Sequence, residues 1–400
     1  MKQLSILGST GSIGRQCLSV VESLPGRFGV VALAAGANLE ELIGQIERHQ
    51  PEIVSVADAQ RADALSRLLN EKGIARKPAI HHGREGMLAV GTHSKAEIVV
   101  SAAVGVVGLE ATYEAAKLGK TVALSNKEVL VAAGELVMAA AKKAGRELLP
   151  VDSEHNALHQ CLRGGAKGEV RRLVLTASGG PFRKTPLAQL GSVTPEQALA
   201  HPNWRMGNRI TIDSATMMNK GFEIIEAHWL FDVRADQIEV VIHPQSTIHS
   251  MVEFVDGSVL AQLGPTDMRM PIQYALTYPE RIASNNEVAL DWTKLKRLDF
   301  EKASTRRFPC LRLAREAMKK GGPYPCALNA TDEIAVAAFL ERRLPFQGIP
   351  EVIERVLERT PGVRFERMDD VLTADAEARR MAQEEVGKTA GGVAAQVRSA

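Results

Sequence analysis

Gly8-Ser9-Thr10-Gly11-Ser12-Ile13-Gly14, "GSTGSIG" over residues 8–14, joins a short apolar run, Leu4–Leu7, to a segment of helical period, Ile13–Ser23. The glycines are spaced three and three, which departs from the strict G-x-G-x-x-G pattern. The physical job is unchanged. Glycine lets a backbone turn tightly and approach a pyrophosphate. The helix that follows offers free N–H groups and the positive end of its dipole. Thr10 and Ser12 add hydroxyl donors. A glycine cluster alone is as often a plain turn. Between a first strand and a first helix, with β–α alternation behind it, this one predicts a dinucleotide site on an α/β, Rossmann-like doubly wound sheet.

The alternation runs to about residue 150. Strand-like runs fall at Leu4–Leu7, Val30–Ala35, Ile53–Val56, Ile98–Ser101, Val122–Leu124 and Leu148–Val151. Helical periods fall at Ile13–Ser23, Leu39–His49, Asp58–Glu71, Leu109–Leu118 and Lys127–Ala144. The texture then changes. Leu173–Ala177 and Val240–Ile242 read as strands, and Met251–Val255 and Ser258–Gln262 flank Asp256-Gly257, a hairpin signal. This predicts a central α+β domain, 151–285, with a mostly antiparallel or mixed sheet. Residues 179–208 are rich in Gly, Pro and polar side chains and read as a long mobile loop. Residues 286–310 read as a linker. From 311 to 400 the pattern is helical, at Leu311–Lys320, Asp332–Arg342, Pro350–Arg359 and Met368–Glu385, which predicts an α-helical bundle whose last dozen residues fray.

The whole chain narrows the function classes. Its 400 residues suffice for two or three domains, and a 45% apolar fraction supports a large core. A net charge of +2 advertises neither nucleic acid nor an anionic membrane. The four cysteines, Cys17, Cys161, Cys310 and Cys326, form no C-x-x-C pair, which argues against zinc and for a reducing compartment. "KQLSILG" at the start is strand-like rather than a secretory leader, so a cytoplasmic protein is expected.

The second strand ends at Ala35-Gly36-Ala37-Asn38, where an NAD site usually places an acid for the ribose hydroxyls. An acid there would repel a 2′-phosphate, so its absence leans towards NADP(H). Beyond the sixth strand stands Val151-Asp152-Ser153-Glu154-His155-Asn156. Alternation in extended chain points Asp152 and Glu154 to one side. Two carboxylates about 4 Å apart repel by about 4 kcal/mol at an effective dielectric of 20. A cation, a shared proton, a basic neighbour or wider separation in water must offset that. The plain alternative is a solvated helix cap. His155 and His159 are possible ligands but more often helix residues. In the helical segment Met217–Glu226, Lys220 and Glu223 lie one turn apart, as a surface salt bridge or as a third acidic ligand with its neighbour. Oxygen-only ligands suit Mg²⁺ or Mn²⁺, with Co²⁺ possible, rather than zinc. Ser178-Gly179-Gly180, Ser214, Asn219 and Lys220 are of phosphate-holding type.

"GSTGSIG", "SNKE" (125–128), "VDSEHNA" (151–157), "SGGPFR" (178–183), "HPNWRMG" (201–207) and "DSATMMNKGFEIIEA" (213–227) occur in that order. Together they resemble the 1-deoxy-D-xylulose 5-phosphate reductoisomerase family over nearly the whole chain. The resemblance implies an NADPH- and divalent-metal-dependent rearrangement and reduction of that phosphosugar to 2-C-methyl-D-erythritol 4-phosphate, in a homodimer. It implies metal ligands at Asp152, Glu154 and Glu223. Lys127, Ser153 and Glu154 match the substrate's hydroxyl end, while Ser178, Ser214, Asn219 and Lys220 match the phosphate set. His201 matches a substrate contact, and Trp204 matches a cover on the closing loop Pro181–Met206. Lys127, Glu154, Glu223, His201 and Trp204 form the catalytic set so implied. Thr10, Gly11, Ser12, Ile13, Gly36, Ala37, Asn38, Asn126, Glu128 and Gly207 match cofactor contacts. The chain departs from many members at Ala37, where a basic residue is common.

Overall fold

The structure, a computed structural model, describes residues 1–204, 206–283 and 289–398, with side chains through residue 388. Residue 205 of the expected loop, 286–288 of the expected linker and the last two residues lie outside the described residues. The chain forms two compact units: Met1–Val129, Glu135–His159 and Asp267–Ala289 make the first, and Leu130–Gly134, Gln160–Thr266 and Leu290–Ala400 the second.

The first unit is built on β1 (Lys2–Leu7), β2 (Phe28–Ala34), β3 (Ile53–Val56), β4 (Ala79–His82), β5 (Ile98–Ser101), β6 (Thr121–Leu124) and β7 (Leu148–Pro150). They form one sheet in the order β4-β3-β2-β1-β5-β6-β7, and every pairing is parallel. Helices α1 (Ser12–Ser23), α2 (Leu39–His49), α3 (Ala59–Glu71), α4 (Gly83–Gly91), α5 (Leu109–Lys117) and α6 (Glu128–Lys143) follow β1 to β6 in turn. Strands covered on both faces read as continuous apolar runs, and Leu4, Ile6, Leu33, Val54, Val100 and Leu124 are all fully or almost fully buried. The order reverses beside β1, between β2 and β5, which places the ligand crevice at the carboxyl end of β1. The sequence reading omits β4 and α4. β4 is an edge strand, and its "AIHH" is mostly exposed, so it carries no apolar run.

After β7 the chain enters α7 (Ser153–Leu162). The second unit holds a five-stranded sheet of β8 (Val170–Ala177), β9 (Ile238–Ile242), β10 (Ile248–Phe254), β11 (Val259–Leu263) and β12 (Glu301–Lys302), ordered β11-β10-β8-β9-β12. It is mixed, as expected: β8 and β9 run parallel and the other pairs antiparallel. The β10–β11 hairpin turns at Gly257, where φ is +87°, with Asp256 Oδ1 accepting the Ser258 N–H. β12 corrects the linker reading of 286–310, since Glu301 pairs with Ile242 on β9.

The expectation for 179–208 also changes. Residues Leu187–Ser192 form a 3₁₀ turn, and α8 (Pro195–Leu199) is started by a Thr194/Gln197 capping box. Phe182, Leu190 and Ala198 are buried in the same core as Phe222, Phe339 and Ile349. Arg307 Nη1 donates to the carbonyls of Phe182 and Thr185, at 3.1 and 2.5 Å. Most of the "loop" is thus anchored by apolar side chains too widely spaced to show as a period. α9 (Asn208–Thr216) and α10 (Met218–Phe231) follow, while α11 (Arg269–Thr277) belongs to the first unit. The helical segment comprises α12 (Pro309–Lys320), α13 (Pro323–Leu340), α14 (Gly348–Arg359) and α15 (Met368–Arg398). α13 starts nine residues before the expected Asp332. Pro323 and Pro325 hide its first turn, where proline is tolerated because the N–H needs no partner. α15 continues to Arg398, through most of the stretch expected to fray.

Candidate active site

At the end of β1 the backbone N–H groups of Gly8 and Ser9 both donate to Ala34 O, at 2.9 and 2.8 Å, which turns the chain sharply towards α1. Gly8 has φ +88°, and a Cβ there would stand 2.5 Å from Ala102 O. A Cβ at Gly14 would stand 2.4 Å from both Gly8 O and Ser9 O. The turn therefore demands glycine at both places. Gly11 is the N-cap of α1 and supplies no side-chain cap, so the first-turn N–H groups are available to an anion. Gly11 and Ser12 are exposed, and Thr10 and Ile13 half-buried. At the β2 tip Gly36 and Ala37 are exposed, while Asn38 Oδ1 caps α2 through the Glu41 N–H. Asn126 is buried. Its Nδ2 donates to Ala103 O and, at 2.7 Å, to Gly105 O, tying the loops after β5 and β6 together. Glu128 opens α6. A glycine cradle, an uncapped helix start and an acid-free β2 tip fit a phosphorylated dinucleotide.

The first carboxylate set follows from sheet register. β6 and β7 are neighbours, with Leu124 opposite Pro150. Lys127 and Asp152 stand just past their carboxyl ends and meet there, Nζ to Oδ2 at 2.7 Å, with side chains 7% and 9% exposed. Asp152 Oδ1 accepts the Glu154 N–H at 3.2 Å and lies 3.4 Å from His155 Nδ1. Ser153 Oγ donates to Glu154 Oε2 at 2.8 Å. The helix-cap geometry is present, but the carboxylate is buried and cation-paired rather than solvated. His159 is not available as a ligand: Nδ1 meets Tyr274 Oη at 2.8 Å and Nε2 meets Glu147 Oε1 at 2.7 Å.

The second set lies on α10. Met217, at φ +63°, joins α9 to α10. Glu223 is fully buried; Lys220 Nζ stands 2.6 Å from its Oε2, and Asn219 Nδ2 donates to its Oε1 at 2.6 Å. This burial overturns the surface salt-bridge alternative. Ser178 follows β8 directly. Its Oγ accepts the Gly180 N–H at 3.2 Å and lies 3.0 Å from His201 Nε2. His201 Nδ1 accepts the N–H groups of Asn203 and Trp204, at 3.2 and 2.9 Å, so the ring proton sits on Nε2 and is donated to Ser178. Burial, and secondly the Lys220 charge, lowers the His201 pKa and favours this neutral form. Gly180, φ +64°, packs where a Cβ would meet Ser214 O at 2.7 Å, which brings the Ser178 loop against the end of α9. Trp204 is half-buried, its ring 6.3 Å from that of His249. Gly207 caps α9. A cavity of about 810 Å³ opens in front of Ser178, walled by Pro181, Lys184, Gln189 and Pro202. Sequence reasoning named Gly180 only as a phosphate-type backbone donor and did not single out Asn203. The packing against Ser214 gives no composition signal, and the Asn203 amide bonds to Pro244 O and Ser246 Oγ are long-range.

These features define an NADP(H)-dependent enzyme. Residues 4–134 match the family described as 1-deoxy-D-xylulose 5-phosphate reductoisomerase, 148–231 its C-terminal domain, and 263–381 the DXP reductoisomerase C-terminal domain. The reductoisomerase of Solibacter usitatus is 52% identical over 96% of this chain and 97% of its own, and that of Chlorobium limicola 51% over 97% and 100%. The Zymomonas mobilis enzyme solved with NADPH superposes with a TM-score of 0.89 at 42% identity, covering 96% of this chain and 99% of that one. A reductoisomerase solved with NADPH, fosmidomycin and magnesium gives 0.90 at 38%, covering 97% and 98%. The chain belongs to the 1-deoxy-D-xylulose 5-phosphate reductoisomerase family.

Proposed function

We propose that the chain catalyses the NADPH- and divalent-metal-dependent rearrangement and reduction of 1-deoxy-D-xylulose 5-phosphate to 2-C-methyl-D-erythritol 4-phosphate, in isoprenoid synthesis, with Asp152, Glu154 and Glu223 holding the metal. The observation that carries this reading is the pair of buried lysine–carboxylate contacts, Lys127–Asp152 and Lys220–Glu223, in a chain that matches the family over nearly its whole length. Buried carboxylates need compensation, and a structural core offers cheaper solutions than two charged pairs.

The donor set is all oxygen and anionic, which suits Mg²⁺ or Mn²⁺. Bound there, such an ion polarises the keto group and stabilises negative charge while the carbon–carbon bond breaks and reforms. NADPH supplies the hydride that reduces the resulting aldehyde. Thr10, Gly11, Ser12, Ile13, Gly36, Ala37, Asn38, Asn126, Glu128 and Gly207 contact that cofactor. Lys127 and Ser153 orient the substrate's hydroxyl end. Ser178, Ser214, Asn219 and Lys220 hold the phosphate. Ser178 Oγ already accepts from His201 Nε2–H and the Gly180 N–H, so its own proton is left to donate to a phosphate oxygen. Trp204 covers the substrate and helps exclude water. Because Phe182, Leu190 and Ala198 are core residues, closure is confined to residues that follow Ala198, Trp204 among them.

The enzyme works in the cytoplasm as a homodimer. Support for the second copy comes from β11, an edge strand with Val259 and Leu260 exposed. No helix among the described residues is long and apolar enough to cross a membrane. The test is NADPH oxidation on 1-deoxy-D-xylulose 5-phosphate after EDTA treatment, with and without added Mn²⁺. Turnover restored by Mn²⁺ is expected. Turnover that survives EDTA points to a metal-free NADP dehydrogenase, and none under any condition points to a nucleotide-binding regulator.

A further inference from the structure

We propose that His159 is a positioning residue for the metal-ligand turn: its ring bridges Glu147 and Tyr274 and fixes the rotation of α7, which Asp152 caps and whose first turn carries Glu154. The inference rests on reading those two carboxylates as ligands.

The contacts lie within the first unit. Glu147 immediately precedes β7, His159 lies mid-way along α7, and Tyr274 lies on α11. A carboxylate only accepts, so Nε2–H is donated to Glu147 Oε1 at 2.7 Å, and the Tyr274 hydroxyl donates to Nδ1 at 2.8 Å. The bond from His159 is the largest influence holding the Glu147 carboxyl below its usual range, consistent with an anionic end to the relay. The His159 ring also stands edge-on to Tyr274 and Tyr278, with centroids 5.6 and 5.0 Å away. One turn earlier on the same face, Asn156 Nδ2 donates to Pro150 O on β7 at 2.8 Å and to Pro271 O on α11 at 3.3 Å. Two successive turns of α7 are therefore pinned to α11 and to the 147–150 segment that holds β7.

The geometry makes such pinning consequential. Side chains reach about 5–6 Å from a helix axis, so a rotation of roughly 10° carries a carboxylate about 1 Å. Metal–ligand distances tolerate only about 0.2 Å. A buried ring with both nitrogens engaged is a stiffer restraint than apolar packing, because each bond also has a direction.

The test is Mn²⁺ binding by electron paramagnetic resonance on the full chain, with NADPH affinity and thermal unfolding measured beside it. Asp152→Asn tests the underlying ligand reading and is expected to lose Mn²⁺ binding. Tyr274→Phe removes one bond at constant shape and is expected to weaken Mn²⁺ binding about 3- to 10-fold, below the roughly 10- to 100-fold typical of groups that touch a ligand directly. Its NADPH affinity stays unchanged and its melting temperature falls by no more than about 3 °C. His159→Ala is expected to weaken Mn²⁺ further, and His159→Gln, which can still donate to Glu147, to recover part of the loss. If Asp152→Asn loses Mn²⁺ while the Tyr274 and His159 variants bind as the parent does, the relay is only structural and the proposal fails. If Asp152→Asn still binds Mn²⁺, the ligand reading fails and the proposal with it.

Discussion

Lys127–Asp152 and Lys220–Glu223 are the same chemical pair built in two ways. The first joins residues 25 positions apart, set side by side because β6 and β7 are parallel neighbours and both residues follow a strand's carboxyl end. The second joins residues three apart on one helix. Asp152 keeps a backbone bond from Glu154 beside its cation, and it doubles as the cap of α7. Glu223 sits inside α10 with no exposed surface, fixed by the helix and by Asn219. The first carboxylate depends on sheet register, the second on burial. The sheet pair should therefore be tuned by what braces its helix, and the helix pair should be intolerant of losing its cation.

The largest expected effect is on chemistry. Glu223→Gln keeps shape and loses charge, and kcat/KM with Mn²⁺ should fall by about 10³-fold or more, the kinetic equivalent of several kcal/mol of lost charge stabilisation. NADPH affinity should not move; a parallel loss of NADPH binding would mean the substitution disturbs the fold instead. Next comes Lys220→Met, which strips a fully buried carboxylate of its cation and should lower unfolding free energy by about 3–5 kcal/mol in urea titrations. Lys127→Met should cost clearly less, and equal losses would show that both carboxylates depend on their cations to the same degree. Gly14→Ala drives a Cβ into Gly8 O and Ser9 O, so it should weaken NADPH by at least about 10-fold while destabilising the first unit by about 1–3 kcal/mol. Trp204→Ala should raise KM and lower kcat together by several-fold, because a cover acts on both binding and water exclusion; constants that stay put remove Trp204 from that role.

The smallest effect is in pH. His201 has a folded pKa below its ordinary 6.5, chiefly from burial. Between the folded and unfolded values the unfolded chain binds more protons, so stability rises with pH. His201 thus contributes a stability loss that begins as pH falls below about 6.5 and is complete below the lowered folded value. His201→Asn should flatten urea midpoints across that window, and an unchanged slope would show that His201 does not titrate there.

Sequence legibility divided along the same line as the two pairs. The buried parallel strands β1, β2, β3, β5, β6 and β7 were readable because both faces are covered, which leaves apolar runs. Asp152 was readable as a site candidate because strand ends are where α/β sheets put ligands. β4 was not, since an exposed edge strand has no such run, and the start of α13 was masked by its prolines. The anchoring of Phe182, Leu190 and Ala198 was hidden because their partners, such as Phe346, lie more than a hundred residues away. Glu223 could be noticed by spacing, but whether its salt bridge faced water or core was beyond any local pattern. The role of His159 was equally hidden, because Tyr274 lies 115 residues along the chain.

Both carboxylate sets are proposed to serve one ion. Mn²⁺ titrations of the parent, Asp152→Asn and Glu223→Gln proteins, run side by side with NADPH present, test it most directly. One tight Mn²⁺ is expected in the parent, and either substitution should weaken it by at least about 100-fold. A Glu223→Gln protein that binds Mn²⁺ as the parent does, while Asp152→Asn does not, would assign the ion to the first set alone and contradict the account.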